Sequence, residues 1–144
     1  MTSEGYSPLN LHEEAWVQER LYAGQSFVAL FSPADGDQPA SLEALERAYD
    51  GWLAGEPQDE REINDVILTV GVCFGEFLVN RAGFMWVIAE QDGSSNLAVR
   101  ALPGHSDVIV YPADFIAKRW ERREHAFLAL AFEQIHEQVR KLGG

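Results

Sequence analysis

Apolar residues recur at helical spacing over the first part of the chain. Trp16, Val17, Leu21, Phe27, Val28 and Phe31 predict a helix from about Leu11 to Phe31. Asn10 and Glu13 stand in the spacing of a capping box at its start, and Gly24 is its weak point. Two prolines, two aspartates and a glycine then mark Ser32 to Ala40 as a loop. Ser41 is a good cap for a second helix over Leu42–Ala54, whose apolar face is Leu42, Leu45, Tyr49, Trp52 and Leu53. Gly55 and Pro57 stop it. A third helix begins in the acidic pair Asp59-Glu60, which suits the positive end of a helix dipole, and runs to about Arg81. It is apolar nearly all round its middle, so it should be the central element, and Gly71 and Gly75 on one face mark a close neighbour.

The period then changes from helical to extended. Phe84 to Glu90 is rich in aromatic and β-branched residues, and Gln91-Asp92-Gly93-Ser94 is a hairpin signal. Asn96 to Leu102 alternates, Pro103-Gly104 is a second turn, and Asp107 to Tyr111 is a third short strand. The first predicted strand is apolar on both faces, which makes it central or covered on both sides. Pro112 opens a fourth helix buried through Phe115, Ile116 and Trp120. A last helix from about Glu124 to Leu142 carries the stripe Leu128, Ala131, Phe132, Ile135, Val139 and Leu142. The order predicts one α+β domain over 1–144: three N-terminal helices, a three-stranded antiparallel meander and two C-terminal helices. Residues 1–10 read as a flexible tail.

Composition narrows the classes. The chain has 144 residues, 47% of them hydrophobic, too many for a disordered protein. One cysteine cannot make an internal disulfide or a four-thiolate metal centre. The net charge is −12, and a surface this acidic repels nucleic-acid phosphates. Residues 1–65 hold fourteen acidic and three basic side chains, so nearly all the excess lies in the first two helices and their loops. A solvated face accounts for such a run, and so does a surface for a basic partner. The start of the chain has neither a basic nor an apolar signal region, and Val66 to Val79 falls short of the roughly 20 residues a bilayer span needs. These features predict a cytoplasmic protein with no membrane association.

Chemistry-bearing motifs are sparse. His136-Glu137-Gln138-Val139-Arg140 and His12-Glu13-Glu14-Ala15-Trp16 each offer one imidazole where a zinc-protease helix needs two. There is no nucleophile elbow, phosphate loop or dinucleotide fingerprint, so neither a catalytic motif nor a cofactor or metal site is recognisable. Cys73, mid-helix, reads as a buried inert thiol. Glu76 is the carboxylate of most interest, because it interrupts the most apolar helix. It meets water, pairs with Arg81, Arg100, Lys118 or Arg119, or carries a function. Lys118-Arg119-Trp120-Glu121-Arg122-Arg123 gathers cations around a tryptophan, either an ordinary helix edge or a local anion site.

Four segments occur in order: Gly75-Glu76-Phe77-Leu78, Arg81-Ala82-Gly83-Phe84-Met85-Trp86-Val87, Val108-Ile109-Val110-Tyr111-Pro112 and Ile116-Ala117-Lys118-Arg119. Together they resemble a bacterial domain-of-unknown-function family, number 3806, over roughly residues 25–140. The resemblance implies the helix–meander–helix order and a bacterial source. It groups Glu76, Trp86, Tyr111, Lys118 and Arg119 in one architectural unit, and transfers no activity.

Three functional expectations follow. The first is a bacterial cytosolic interaction module, immunity- or antitoxin-like, that binds a basic protein through the acidic helices. The second is an enzyme or small-ligand-binding domain around a polar cluster of Glu76, Arg81, Trp86, Arg100, Tyr111, Lys118 and Arg119. The third is a purely structural domain that self-associates through an exposed apolar stripe on the last helix. The sequence leaves both a monomer and a homodimer open.

Overall fold

Capping chemistry sets the first three helices. A computed structural model describes residues 5–35, 41–101 and 107–143. Helix α1 spans Leu11–Phe31. The Asn10 side chain accepts from the Glu13 amide at 2.8 Å, and Glu13 accepts from the Asn10 amide at 2.8 Å. A single 3-10 turn follows at Pro33–Asp35. Helix α2, Leu42–Ala54, starts where Ser41 Oγ accepts from the Ala44 amide at 3.0 Å. Helix α3, Glu60–Arg81, starts where Asp59 accepts from the Arg61 amide at 3.0 Å. In each case the cap satisfies an amide that the helix leaves without an internal partner.

Among the described residues the sheet has four antiparallel strands rather than the three expected. They are β1 (Gly5–Ser7), β2 (Met85–Gln91), β3 (Ser94–Ala101) and β4 (Val108–Val110), in that spatial order. Tyr6 pairs with Ala89, so part of the predicted tail is an edge strand. Strand β2 lies between β1 and β3, as its two apolar faces predict. Asp92 at φ 50° and Gly93 at φ 83° make the two-residue turn between β2 and β3, with Gln91 opposite Ser94. The predicted turn at Pro103-Gly104 lies outside the described residues.

Helices α4 (Pro112–Glu121) and α5 (Leu128–Gly143) complete the fold. The last helix begins four residues later than Glu124, for a physical reason. Asp50 and Glu46, one turn apart on α2, accept from the Ala126 and Ala129 amides at 3.0 Å each. The amides around the start of α5 therefore find acceptors on another helix. The chain before it turns through positive φ at Arg123 and Ala126. Helix α3 touches α1, α2, α4, α5, β2 and β3, which makes it the central element. The core around it includes Leu45, Tyr49, Phe74, Leu78, Ile116 and Leu128, all fully buried. On the far face of the sheet, Val87, Ala89 and Ala98 form a smaller apolar cluster with Ile109 and Tyr111 packed against it.

The glycines of α3 lie where neighbours approach closely, Gly71 against the α4 backbone and Gly75 against side chains. A Cβ at Gly71 would stand 3.0 Å from the Ala113 backbone, and one at Gly75 would stand 3.0 Å from Pro112 Cγ. Gly24, the expected weak point of α1, is instead its contact with α3. A Cβ there would overlap Cys73 Sγ, so the missing side chain lets the two helices close.

A candidate binding groove between the first and third helices

Glu76 sits where α3 passes from its apolar middle to its end. It is half-buried and is held by an indole: Trp86 Nε1 donates to Glu76 Oε1 at 2.9 Å. The chain brings these two residues together by folding back at Gly83, so that β2 returns across α3. The Trp86 ring lies over Gly75, which has no side chain to obstruct it.

Glu76 also lines a cavity of about 370 Å³ between α1 and α3, floored by Leu45 of α2. Leu21 and Phe77 give this groove apolar walls, and Gln18, Gln25 and Asn80 contribute amides. Tyr22 lines it as well and is 74% exposed, so its ring stands at the rim. Such a mixture of apolar surface with a few convergent polar groups characterises small-ligand sites. Glu76 is the one ionisable carboxylate in this lining. Cys73 stands in the same wall, where burial, aided by the Glu76 charge, pushes its thiol up to about 12. It is a protonated, unreactive group at neutral pH.

None of the four cations weighed as partners pairs with Glu76 among the described residues. The Arg81 guanidinium lies 5.3 Å from the centre of the Phe132 ring. Arg100 forms two hydrogen bonds with Asp107, each 3.1 Å, and lies 4.0 Å over the Tyr6 ring on the far face of the sheet. Lys118 pairs with Asp114 one turn away at 3.2 Å. Arg119 lies 3.7 Å over Phe115 and donates to that residue's carbonyl at 3.3 Å. The structure therefore brings Glu76 and Trp86 together and places the other five residues elsewhere. Tyr111 lines a separate cleft with Trp16.

Asn80 shares the face of α3 that the sequence already groups with Glu76, whereas Gln18, Tyr22 and Gln25 of α1 escape a sequence reading. On α1 they read as a solvated face, and the one available signal is Tyr22, an aromatic ring among polar positions.

Another cleft, of about 630 Å³, lies between the turn after α2 and the turn before α5, lined by Asp50, Glu56, Arg123 and His125 among others. Asp50 is raised above the usual carboxylate range, chiefly by burial, while its bond from the Ala126 amide acts the other way. Arg123 is held 3.7 Å over the Trp120 ring and donates to the Trp120 carbonyl at 2.6 Å. Asp50 thus ties α2 to the turn before α5, and Arg123 is held within its own turn. Among the described residues no group of three or more His, Cys, Asp or Glu could hold a metal ion. Nor is any helix among them long and apolar enough to cross a membrane.

No curated protein matches the chain. A crystal structure from Bacteroides thetaiotaomicron is similar in fold, with a TM-score of 0.69 at 15% identity. The match takes in 90% of this chain and 46% of that one, so the chain spans about half the length of its structural neighbour. This likeness is one of architecture. The family described as Domain of unknown function (DUF3806) matches residues 42–130, from the start of α2 into α5. That stretch contains three of the four strands, the Glu76–Trp86 pair and the α4 cations, and the chain belongs to this family.

Proposed function

We propose that the chain is a protein-interaction module of the bacterial cytosol that binds a basic partner, seating an Arg or Lys side chain of that partner against Glu76. The observation that carries this reading is the position of Glu76, a lone carboxylate in a partly apolar groove, oriented by the Trp86 indole. The apolar walls suit the methylene stem of a long cation. Glu76 and the groove amides suit its head, and the exposed Tyr22 ring offers a cation–π contact. A net charge of −12 would draw a basic partner in and speed the encounter.

Fluorescence anisotropy of a labelled oligoarginine peptide tests the proposal. Wild type should bind with an affinity that falls steeply with salt. Glu76→Gln should weaken binding about tenfold or more, equivalent to about 1.4 kcal/mol. Glu60→Gln, which removes a charge from the exposed face, should change it less than about twofold. Equal losses in the two variants would reduce the effect to net charge and contradict the proposal. The volume of the groove also supports a second reading, a small-amine site. In that case free agmatine would bind as tightly as the peptide.

A further inference from the structure

Helix α1 carries apolar residues on two faces. Val17, Gly24, Phe27 and Val28 are buried against the rest of the fold. Away from them, Leu11, Ala15, Gln18, Tyr22, Gln25 and Ala29 follow one another at alternating steps of four and three residues, and all six are exposed. Leu11 is 82% exposed. This alternation is the 3.5-residue repeat by which one helix presents a continuous seam to a second. The row runs about 27 Å along α1. None of the six is charged, in a chain of net charge −12.

Charge borders the row on both sides. At about 100° per residue, Glu14 falls on the side facing the Glu76 groove and Glu19 on the other. Both are exposed. Gln18, Tyr22 and Gln25 belong to the row and to the groove lining at once, so Glu76 opens beside the middle of the row. The one arginine of α1, Arg20, turns away to Asp65 and Thr69 of α3. The face is therefore an uncharged strip between carboxylates. A second copy of this chain would set these glutamates against their own kind. A helix with Lys or Arg flanking a narrow apolar stripe meets both the strip and its borders. We infer, resting on the reading of Glu76 above, that the basic partner docks as an amphipathic α-helix along α1. Its apolar stripe lies on Leu11, Ala15, Tyr22 and Ala29, and one of its flanking cations enters the Glu76 groove. The amides of Gln18 and Gln25, at seam positions, fix its register.

Fluorescence anisotropy tests this with two labelled peptides of about 18 residues, enough to span the row. One places Leu and Ala at the 3.5-residue repeat with Arg beside them, and the other is its scramble, equal in charge and composition. Wild type should bind the patterned peptide at least about tenfold tighter than the scramble. The helical circular-dichroism signal of that peptide should grow on binding. Leu11→Gln combined with Ala15→Gln, both at exposed positions outside the groove, should weaken the patterned peptide about fivefold or more. The same variant should leave oligoarginine binding within about twofold of wild type, since that peptide has no apolar stripe. If oligoarginine binds through Glu76 while the patterned peptide only matches its scramble, the helical mode is overturned and the Glu76 reading stands. Oligoarginine binding that ignores Glu76→Gln removes that reading, and the inference with it. A wild-type dimer in sedimentation that the double variant dissolves gives the row to a second copy, which also overturns the inference.

Discussion

Two tryptophan–glutamate pairs stand in different settings. Trp52 of α2 donates Nε1 to Glu62 at 3.0 Å, and Trp86 of β2 donates Nε1 to Glu76 at 2.9 Å. In both, the partners are ten residues apart and the glutamate belongs to α3. Trp52 is buried, against Tyr49 and Trp120, and its carboxylate partner is exposed. Trp86 is half-buried, and its partner lines a cavity. The same hydrogen bond therefore does different things. At Glu62 it satisfies an indole that the core has buried, and water solvates the rest of the carboxylate. At Glu76 it orients a half-buried carboxylate whose remaining surroundings are apolar and amide groups. A carboxylate gains functional potential from where it opens, not from its hydrogen bond.

The largest effect should come from packing beneath the second pair. A Cβ at Gly75 would already lie 2.5 Å from Trp86 Cη2, so Gly75→Leu should destabilise the fold by about 1–3 kcal/mol or more. Denaturant unfolding measures this, and an unchanged midpoint would mean that Trp86 does not pack there.

The next effect is alkaline. Burial, aided by the charge of Asp50, pushes the Tyr49 phenol up to about 12. Below pH 10 the phenol is neutral in both states and contributes nothing to the pH dependence. Between pH 10 and about 12 the unfolded chain ionises while folded Tyr49 keeps its proton, so stability falls as pH rises. Cys73 acts in the same direction from pH 9 upward. The Tyr49 contribution to this loss is on the order of 2 kcal/mol. Tyr49→Phe should remove that share, visible as a shallower fall of melting temperature with pH. At neutral pH it should be neutral or stabilising by about 1 kcal/mol, because Tyr49 Oη is buried without a partner among the described residues.

A cap supplied from another helix should cost less to remove. Asp50→Ala deprives the Ala126 amide of its acceptor and should destabilise by about 1 kcal/mol. Amide exchange at the start of α5 should rise with it, whereas unchanged protection would dissociate the cap from that helix.

The smallest effect sharpens the comparison itself. Glu76→Gln and Glu62→Gln each keep an oxygen that can accept from the indole. Both should stay within about 0.5 kcal/mol of wild type in thermal melts. Only the first should alter binding.

What was legible in the sequence follows from where each structural cause lies. Helices α1, α2 and α3 start at the predicted residues because Asn10, Ser41 and Asp59 cap them locally. The start of α5 was not legible, because its amide acceptors are on α2, more than seventy residues away. Strand β1 escaped because Gly5-Tyr6-Ser7 is too short to show alternation and takes its register from β2. In the candidate site, Glu76 stood out as a charge in an apolar helix, and the turn at Gly83 brings Trp86 back to it. Lys118 and Arg119 looked available in sequence, yet their partners Asp114 and Phe115 lie one turn away on the same helix. The groove amides of α1, Gln18 and Gln25, were hidden because a polar helix face reads the same whether it meets solvent or lines a cavity.

The most direct measurement is chemical-shift mapping of an arginine-containing peptide on the isotopically labelled chain. The account predicts shifts concentrated at Gln18, Tyr22, Gln25, Glu76 and Asn80, with the Trp86 indole N–H moving in step and all of them absent in Glu76→Gln. Shifts spread over the acidic start of α3, from Asp59 to Asp65, with the groove signals still, would contradict it.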